Sequence, residues 1–187
     1  MLTMSANTAE IARLGDRVQA AGKGAAPAYS MAINRVAVTA RAGMVRVLAK
    51  QTGLKQKTLR KALKRKNSTA GTLSAEISSA GGDIALKFFA PRETARGTSA
   101  APFGKRSIYT GTFMKGGHFP NRVEASGLNG HAWKRTGAGR GPIKVVNSGV
   151  VIPEQMIEGA TRAVFYKTVE AELPKRLLHE LSRRLVG

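Results

Sequence analysis

The sequence predicts an α+β protein: N-terminal helices, then a small antiparallel β-sheet with long loops, then a C-terminal helix packed on the sheet. Three observations predict it. Apolar residues recur at three- and four-residue steps up to about residue 66. From residue 73 the apolar period becomes two, and after Pro153 the helical period returns. Helices kept apart from strands in this way belong to the α+β class. The length of 187 residues suits one domain with an arm. We expect a helical arm over 1–25 and a single α+β domain over 26–187.

The elements follow in order. Ser5 to Ala20 reads as a short helix, with Ile11, Leu14 and Val18 on one face. Gly22 and Gly24 break it, and Pro27 suits a first helical turn. The next helix runs from about Ala28 to Gln51 on a stripe of Met31, Ile33, Ala37, Ala40, Met44, Val47 and Leu48. Thr52-Gly53 ends it, with Gly53 suited to a left-handed cap. A third helix is expected over Lys55–Lys66, packing through Leu59, Ala62 and Leu63.

Leu73, Ala75 and Ile77, then Ile84, Leu86 and Phe88, alternate with polar residues about Ser79–Asp83, which reads as a hairpin. Residues 91–142 hold ten Gly and few large apolar residues. They predict short strands near 105–114 and 130–136 joined by long loops, of the kind that carry function or become ordered on a partner. Residues 142–152 predict a strand pair about Asn147-Ser148-Gly149. Pro153 opens a C-terminal helix with Glu154 and Glu158 in its first turns and Arg183 and Arg184 in its last, as the helix dipole favours. Its stripe is Ile157, Ala160, Val164, Leu173, Leu177, Leu181 and Leu185, and Pro174 is expected to kink or divide it.

The formal charge is +20, and Leu, Ile, Val and Phe together make up about 22% of the chain. A thin core under strong self-repulsion implies a fold that gains stability from a partner surface. The charge is uneven. No acid lies between Arg17 and Ala75, while five of the eleven acids lie at or after Glu154. Such a basic body is the footprint of a polyanionic partner, nucleic acid or an acidic protein surface. No apolar run is long enough to span a membrane. No secretory signal is legible, so the expected compartment is the cytoplasm or a particle assembled there.

Catalytic chemistry is not legible either. Zero Cys excludes disulfides and thiolate chemistry, and the three His (118, 131 and 179) have no acidic cluster near them in sequence. Glu170 and Glu172 are two apart on a helix and so diverge. Gly137–Gly141 matches no phosphate-loop pattern and reads as a hairpin tip. We expect no enzyme activity, no cofactor and no metal. Thr52–Arg60 has the order helix, Gly turn, basic helix, as in a helix-turn-helix, which would place Lys55, Gln56, Lys57 and Arg60 at base edges. A DNA-binding regulatory or nucleoid protein is therefore the alternative reading, although the hairpin expected next in sequence is foreign to that motif. A ribosome-like RNA binder fits the charge, but ten aromatic residues, several needed in the core, leave few for stacking.

Ala32–Ala37, Thr39–Arg41 and Ala49–Lys55 resemble the N-terminal helical region of the phage minor tail protein Z family. Pro102–Arg106 resembles the middle of that family, and Pro142–Lys144 with Ile152–Met156 resembles its C-terminal signature. The resemblance covers about residues 28–160 in patches and departs over Val145–Val151, where the family has a shorter link. It implies a virion protein, assembled in the host cytoplasm, acting at tail completion where the tail meets the head connector. It further implies a homo-oligomeric ring, a hexamer, with other tail and head-connector proteins and packaged double-stranded DNA as partners. On that basis Arg41, Arg46, Lys50, Lys55, Lys57, Arg60, Lys61, Lys64, Arg65 and Lys66 are expected to meet DNA or an acidic neighbour. Phe103, Lys105, Arg106, Tyr109, Trp133, Arg135 and Arg140 are expected to contact neighbouring subunits.

Overall fold

A computed structural model describes residues 2–4 and 25–185, so the helix expected over Ser5–Ala20 lies outside the described residues. The fold is α+β: the described residues form long helices towards both ends and five small antiparallel sheets, built from strands between the helices and from one strand ahead of the first. Helix α1, Ala25–Thr52, carries Pro27 in its first turn. Ala28, Ala32 and Ala40 are fully buried on it, alongside Val36, Met44 and Leu48. Small residues let a second helix approach closely. A Cβ on Gly43 would lie 3.5 Å from Val164 Cγ1, in ordinary contact with that helix.

That second helix is α4, Gly159–Leu185. A short α3, Ile152–Ile157, precedes it, and the chain breaks at Glu158 and at Gly159 (φ 54°). The division expected at Pro174 thus falls fifteen residues earlier. Pro174 removes one backbone donor, but Leu173 and Leu177 on either side of it are buried against Ala25, Tyr29, Ala32 and Val36 and hold the helix on course. The main packing partner of α4 is α1 rather than the β-structure. Ala160, expected on the stripe, is exposed, and Thr161 and Phe165 are buried instead.

Helix α2 spans only Gln56–Ala62, and Lys64–Lys66 form strand β2 instead of completing the expected helix. Extending the helix would have stacked Arg60 on Lys64 and Lys61 on Arg65 at i,i+4, a destabilising arrangement of like charges. Leu59 and Leu63 stay fully buried, so the apolar anchor survives the change of backbone.

Strand β1, Leu2–Met4, and β2 flank β3, Glu76–Ser79, in a three-stranded sheet. Strand β4, Asp83–Ala85, does not close a hairpin on β3 as expected. It pairs with residues 147–151, and Leu86–Phe88 form a 3-10 turn rather than a strand. Leu73 sits at φ 45° outside any strand. Strands β5, Arg92–Thr94, β6, Gly97–Ala100, and β7, Ser107–Thr110, form a meander. Strands β8, Thr112–Phe113, β9, Gly116–Gly117, and β10, Arg122–Val123, follow.

Strand β11, Trp133–Arg135, lies between β8 and β12, Ile143–Val145. Strand β13, Asn147–Val151, pairs with β4, so the pair expected within 142–152 is split between two sheets. The split has a local cause. The Asp83 carboxylate accepts backbone N–H bonds from Ser148 (3.2 Å) and Gly149 (2.8 Å), which clasps a bulge of β13 onto β4. The larger core gathers where these pieces meet the C-terminal half of α1: Met44, Leu48, Leu59, Leu63, Ile77, Leu86, Phe89, Val150 and Met156.

Candidate interaction surface

Two features of α1 organise the surface around its C-terminal half. The first is a basic face. Arg46 and Lys50 on α1, Lys57, Arg60 and Lys61 on α2, Lys55 just before α2, and Lys64 and Lys66 on β2 are all exposed. Arg65 is half-buried and its Nη1 reaches the Asn34 carbonyl at 3.5 Å. Arg41, Arg46 and Arg60 share the walls of a cleft of about 220 Å³ with Val38, Ala42 and Val45.

Arg41 is engaged within the fold. Its Nε donates to the Leu63 carbonyl at 2.9 Å and its Nη2 to the Arg60 carbonyl, so it caps α2 from α1. The C-terminal carbonyls of a helix have no partners in the helix itself and favour a cation. Residues 17–75 carry no acid, and Glu76, the cross-strand neighbour of Lys66 on β3, forms no ion pair with this face. Every ion pair among the described residues lies elsewhere: Arg35–Glu180, Lys115–Glu124, Arg122–Glu93, Lys175–Glu172, Arg176–Glu172 and Arg183–Glu180.

The helix-turn-helix order of Thr52–Arg60 does not build a reading head. At seven residues α2 makes about two turns. It then passes into a sheet edge instead of a third helix. Its cations therefore form part of a broad face with β2 rather than a rod that enters a groove.

The second feature is a junction at the end of α1. Thr52 Oγ1 donates to the Leu48 carbonyl at 2.6 Å, and the Gly53 N–H continues the helix ladder to Ala49 at 3.1 Å. Gly53 then turns with φ 78°, and a Cβ there would lie 2.7 Å from the Ala101 carbonyl oxygen and 2.8 Å from Gly104 N. Only glycine fits both the dihedral and the space. The pressing segment is the 3-10 turn Pro102–Gly104, which leaves Phe103 at φ 54° and 46% exposed. One residue before Thr52, Gln51 Nε2 donates to Gln155 Oε1 at 2.8 Å, and Gln51 Oε1 accepts from Thr161 Oγ1 at 3.0 Å. Segments 49–55, 101–104 and 152–161 thus converge on a single helix end.

The residues expected to contact neighbouring subunits divide into two groups. Phe103, Lys105 and Arg140 are exposed, Arg140 at the tip of the β11–β12 hairpin. Arg106 and Arg135 are exposed too, Tyr109 and Trp133 half-buried, and all four make contacts within the fold. Arg106 donates from Nη1 to the Ser99 carbonyl and from Nη2 to the Ala90 carbonyl, both at 3.3 Å. Tyr109 packs on the main core. Trp133 Nε1 donates to the Leu128 carbonyl at 3.0 Å, and the Arg135 guanidinium lies 5.3 Å from the Phe113 ring centre.

His131 meets Lys87, with Nε2 and Nζ 2.6 Å apart. The ammonium has only donors, so Nε2 accepts and Nδ1 carries the proton. Burial first, and Lys87 second, push the His131 pKa below its ordinary value. No group of three or more metal-ligating residues is assembled among the described residues. No helix among them is long and apolar enough to cross a membrane.

Sequence reasoning missed Glu180, which is buried at 1% side-chain exposure with Arg35 Nε 3.1 Å away. Its signal was present in the α4 stripe, since 173, 177 and 180 follow helical spacing. It also missed Arg96, Lys115 and Arg122, which line one cleft only because successive turns fold against one another.

No curated protein and no solved structure matches this chain. A family model described as prophage minor tail protein Z matches residues 19–186. That span takes in both long helices, the basic face and the junction at Gln51 and Gly53, and the chain belongs to the prophage minor tail protein Z family, structural components of phage tails.

Proposed function

We propose that this minor tail protein is a tail completion protein at the head-proximal end of the tail, where copies form a ring around the DNA passage. The observation that carries this reading is the basic face of α1, α2 and β2, whose cations take part in none of the ion pairs among the described residues. Cations without acidic partners repel one another, and the fold tolerates them best when a polyanion neutralises them. The lumen of a tail end presents packaged DNA, and an adjoining ring can present an acidic surface. Contacts to phosphate position a protein without reading sequence, which suits a passage that must accept any genome end. The exposed Phe103 knuckle, with Lys105 beside it and the Arg140 hairpin tip, supplies the contacts between subunits. Docking orders such loops at an entropic cost offset by the new interface.

The test is sedimentation of a lysate from the source organism after prophage induction, followed with an antibody to this protein. Co-sedimentation with tails or tailed particles that survives a high-salt wash is the expected result. Particles that sediment without the protein, while it stays with free protein or host DNA, overturn the reading. Purified protein on duplex DNA adds a second measure. Five phosphate contacts give a slope of log affinity against log salt of about −4.5, independent of base sequence. A preference of about 10³ or more for one sequence would instead mark a regulator.

A further inference from the structure

Away from the α1–α2–β2 face, the turns of three sheets enclose a cleft of about 340 Å³. Its cations are Arg96, from the β5–β6 turn, Lys115, Arg122 and Arg135, with His118 on the same wall. These residues span forty positions of sequence and come from separate sheets, so no local charge run accounts for their meeting. Glycine backbone lines much of the remaining wall, at Gly97, Gly111, Gly116 and Gly117. Where no side chain intervenes, the peptide surface is open to close approach by a ligand.

The cleft is built rather than incidental. Arg122 is held by Glu93, whose side chain is only 8% exposed, with Nη2 and Oε1 3.2 Å apart, and its Nη1 donates to the Gly117 carbonyl. Its Nε, like Oε2 of Glu93, is buried and has no hydrogen-bond partner among the described residues. A buried donor left unmade is costly, and marks a place where an acceptor is missing. Lys115 pairs with Glu124 at 2.6 Å. Arg135 stands over Phe113. Neither Arg96 nor Arg135 takes part in an ion pair among the described residues. Four permanent cations face two carboxylates, so the cleft carries an excess of positive charge before His118 is considered.

We infer that this cleft is a second anion site, which takes phosphate groups of a DNA backbone. Several converging cations suit an anion with several oxygens, and arginine forks match phosphate geometry. An acidic segment of a second copy is a weaker match for this cleft, because the chain holds eleven acids against thirty-one Lys and Arg. The inference rests on the reading that the protein meets packaged DNA. It adds that contact is made at two separated places on one subunit.

The experiment measures affinity for a 20-base-pair duplex by fluorescence anisotropy across a salt series, with inorganic phosphate titrated separately. Three proteins are compared: wild type, an Arg96→Ala/Arg135→Ala variant, and a Lys57→Ala/Lys61→Ala variant of the α2 face. Both pairs are exposed, and Arg96→Ala alone serves as a check should loss of the Arg135–Phe113 contact disturb folding. We expect the cleft variant to bind duplex at least tenfold more weakly and its salt slope to fall by about 1.8. Unchanged affinity and slope in the cleft variant, with wild-type duplex binding intact, overturn the inference and leave the α2 face as the DNA contact. A site that takes inorganic phosphate, seen as shifted His118 ring signals, but does not affect duplex binding also overturns it. Absence of duplex binding by wild type removes the underlying DNA reading itself. A loss confined to the Lys57→Ala/Lys61→Ala variant supports that reading while contradicting the cleft.

Discussion

Gln51, near the end of the first long helix, donates to the side-chain oxygen of Gln155 at 2.8 Å across 104 positions of sequence. The other end of the same amide accepts from Thr161 at the start of α4. One side chain thereby ties α1 to both helices that close the fold.

Gln51→Leu should therefore destabilise the protein by more than its size suggests. It leaves Gln155 and Thr161 without a partner in a half-buried site, which costs ~1–3 kcal/mol. Urea unfolding should show a lower midpoint with an unchanged m-value. A variant as stable as wild type would mean that water satisfies both groups.

Gly53→Ala is the sharper probe of the same junction. It places a methyl 2.7 Å from a backbone oxygen and forces an L-residue to φ 78°. We expect a loss of ~1–3 kcal/mol, together with displacement of the Phe103 knuckle. Gly82→Ala is the control, because nothing lies within 4 Å of its Cβ position. It should be neutral or slightly stabilising.

Arg35→Ala removes the cation 3.1 Å from a carboxylate that is almost wholly buried. Arg183 lies within 3.6 Å of that carboxylate and supports it in part. Because Arg35 is itself half exposed, solvent screens the pair, and the expected cost is ~1–3 kcal/mol rather than that of a fully buried pair. Glu180→Gln in the same background should recover part of the loss. Failure to recover any of it in a double-mutant cycle would show that Arg35 acts through packing alone.

His131 gives the fold a pH dependence whose sign follows from its lowered pKa. The unfolded chain takes up the proton near pH 6.5, before the folded chain does. Stability from this group is thus complete above about pH 6.5 and falls with pH down to the folded-state value. Urea midpoints between pH 5 and 7.5 should decline more steeply with acidity in wild type than in His131→Gln. Equal slopes would remove His131 as the cause.

The helices were largely legible in the sequence, and the sheets were not. Ala40, Met44 and Leu48 of the expected α1 stripe are buried, whereas Met31, Ile33, Ala37 and Val47 are only half-buried and Ala32, Val36 and Val45 are buried in addition, so spacing shows the helix and places its buried face in part. Strands Asp83–Ala85 and Asn147–Val151 both carry strand signals, yet the sequence pattern pairs each with its neighbour in sequence, whereas the fold pairs them with each other. Alternation shows that a strand has a buried face and says nothing of which edge it joins. The same limit applies to the surface. The basic run 55–66 was visible as composition, and its change from helix to strand at Leu63 follows from charge stacking that a pattern of apolar residues ignores. The capping role of Arg41 and the meeting of Arg96 with Arg135 depend on tertiary contact, so composition could name the cations but not sort the structural from the free.

The proposed position of this tail protein is the end that meets the head. Immunogold electron microscopy of purified tails tests it most directly, with antibody raised against the exposed face of α4, around Lys175, Leu178 and His179. Gold confined to the head-proximal end, with none along the tube, is the expected result. Gold distributed along the tube, or gathered at the distal tip, would contradict it.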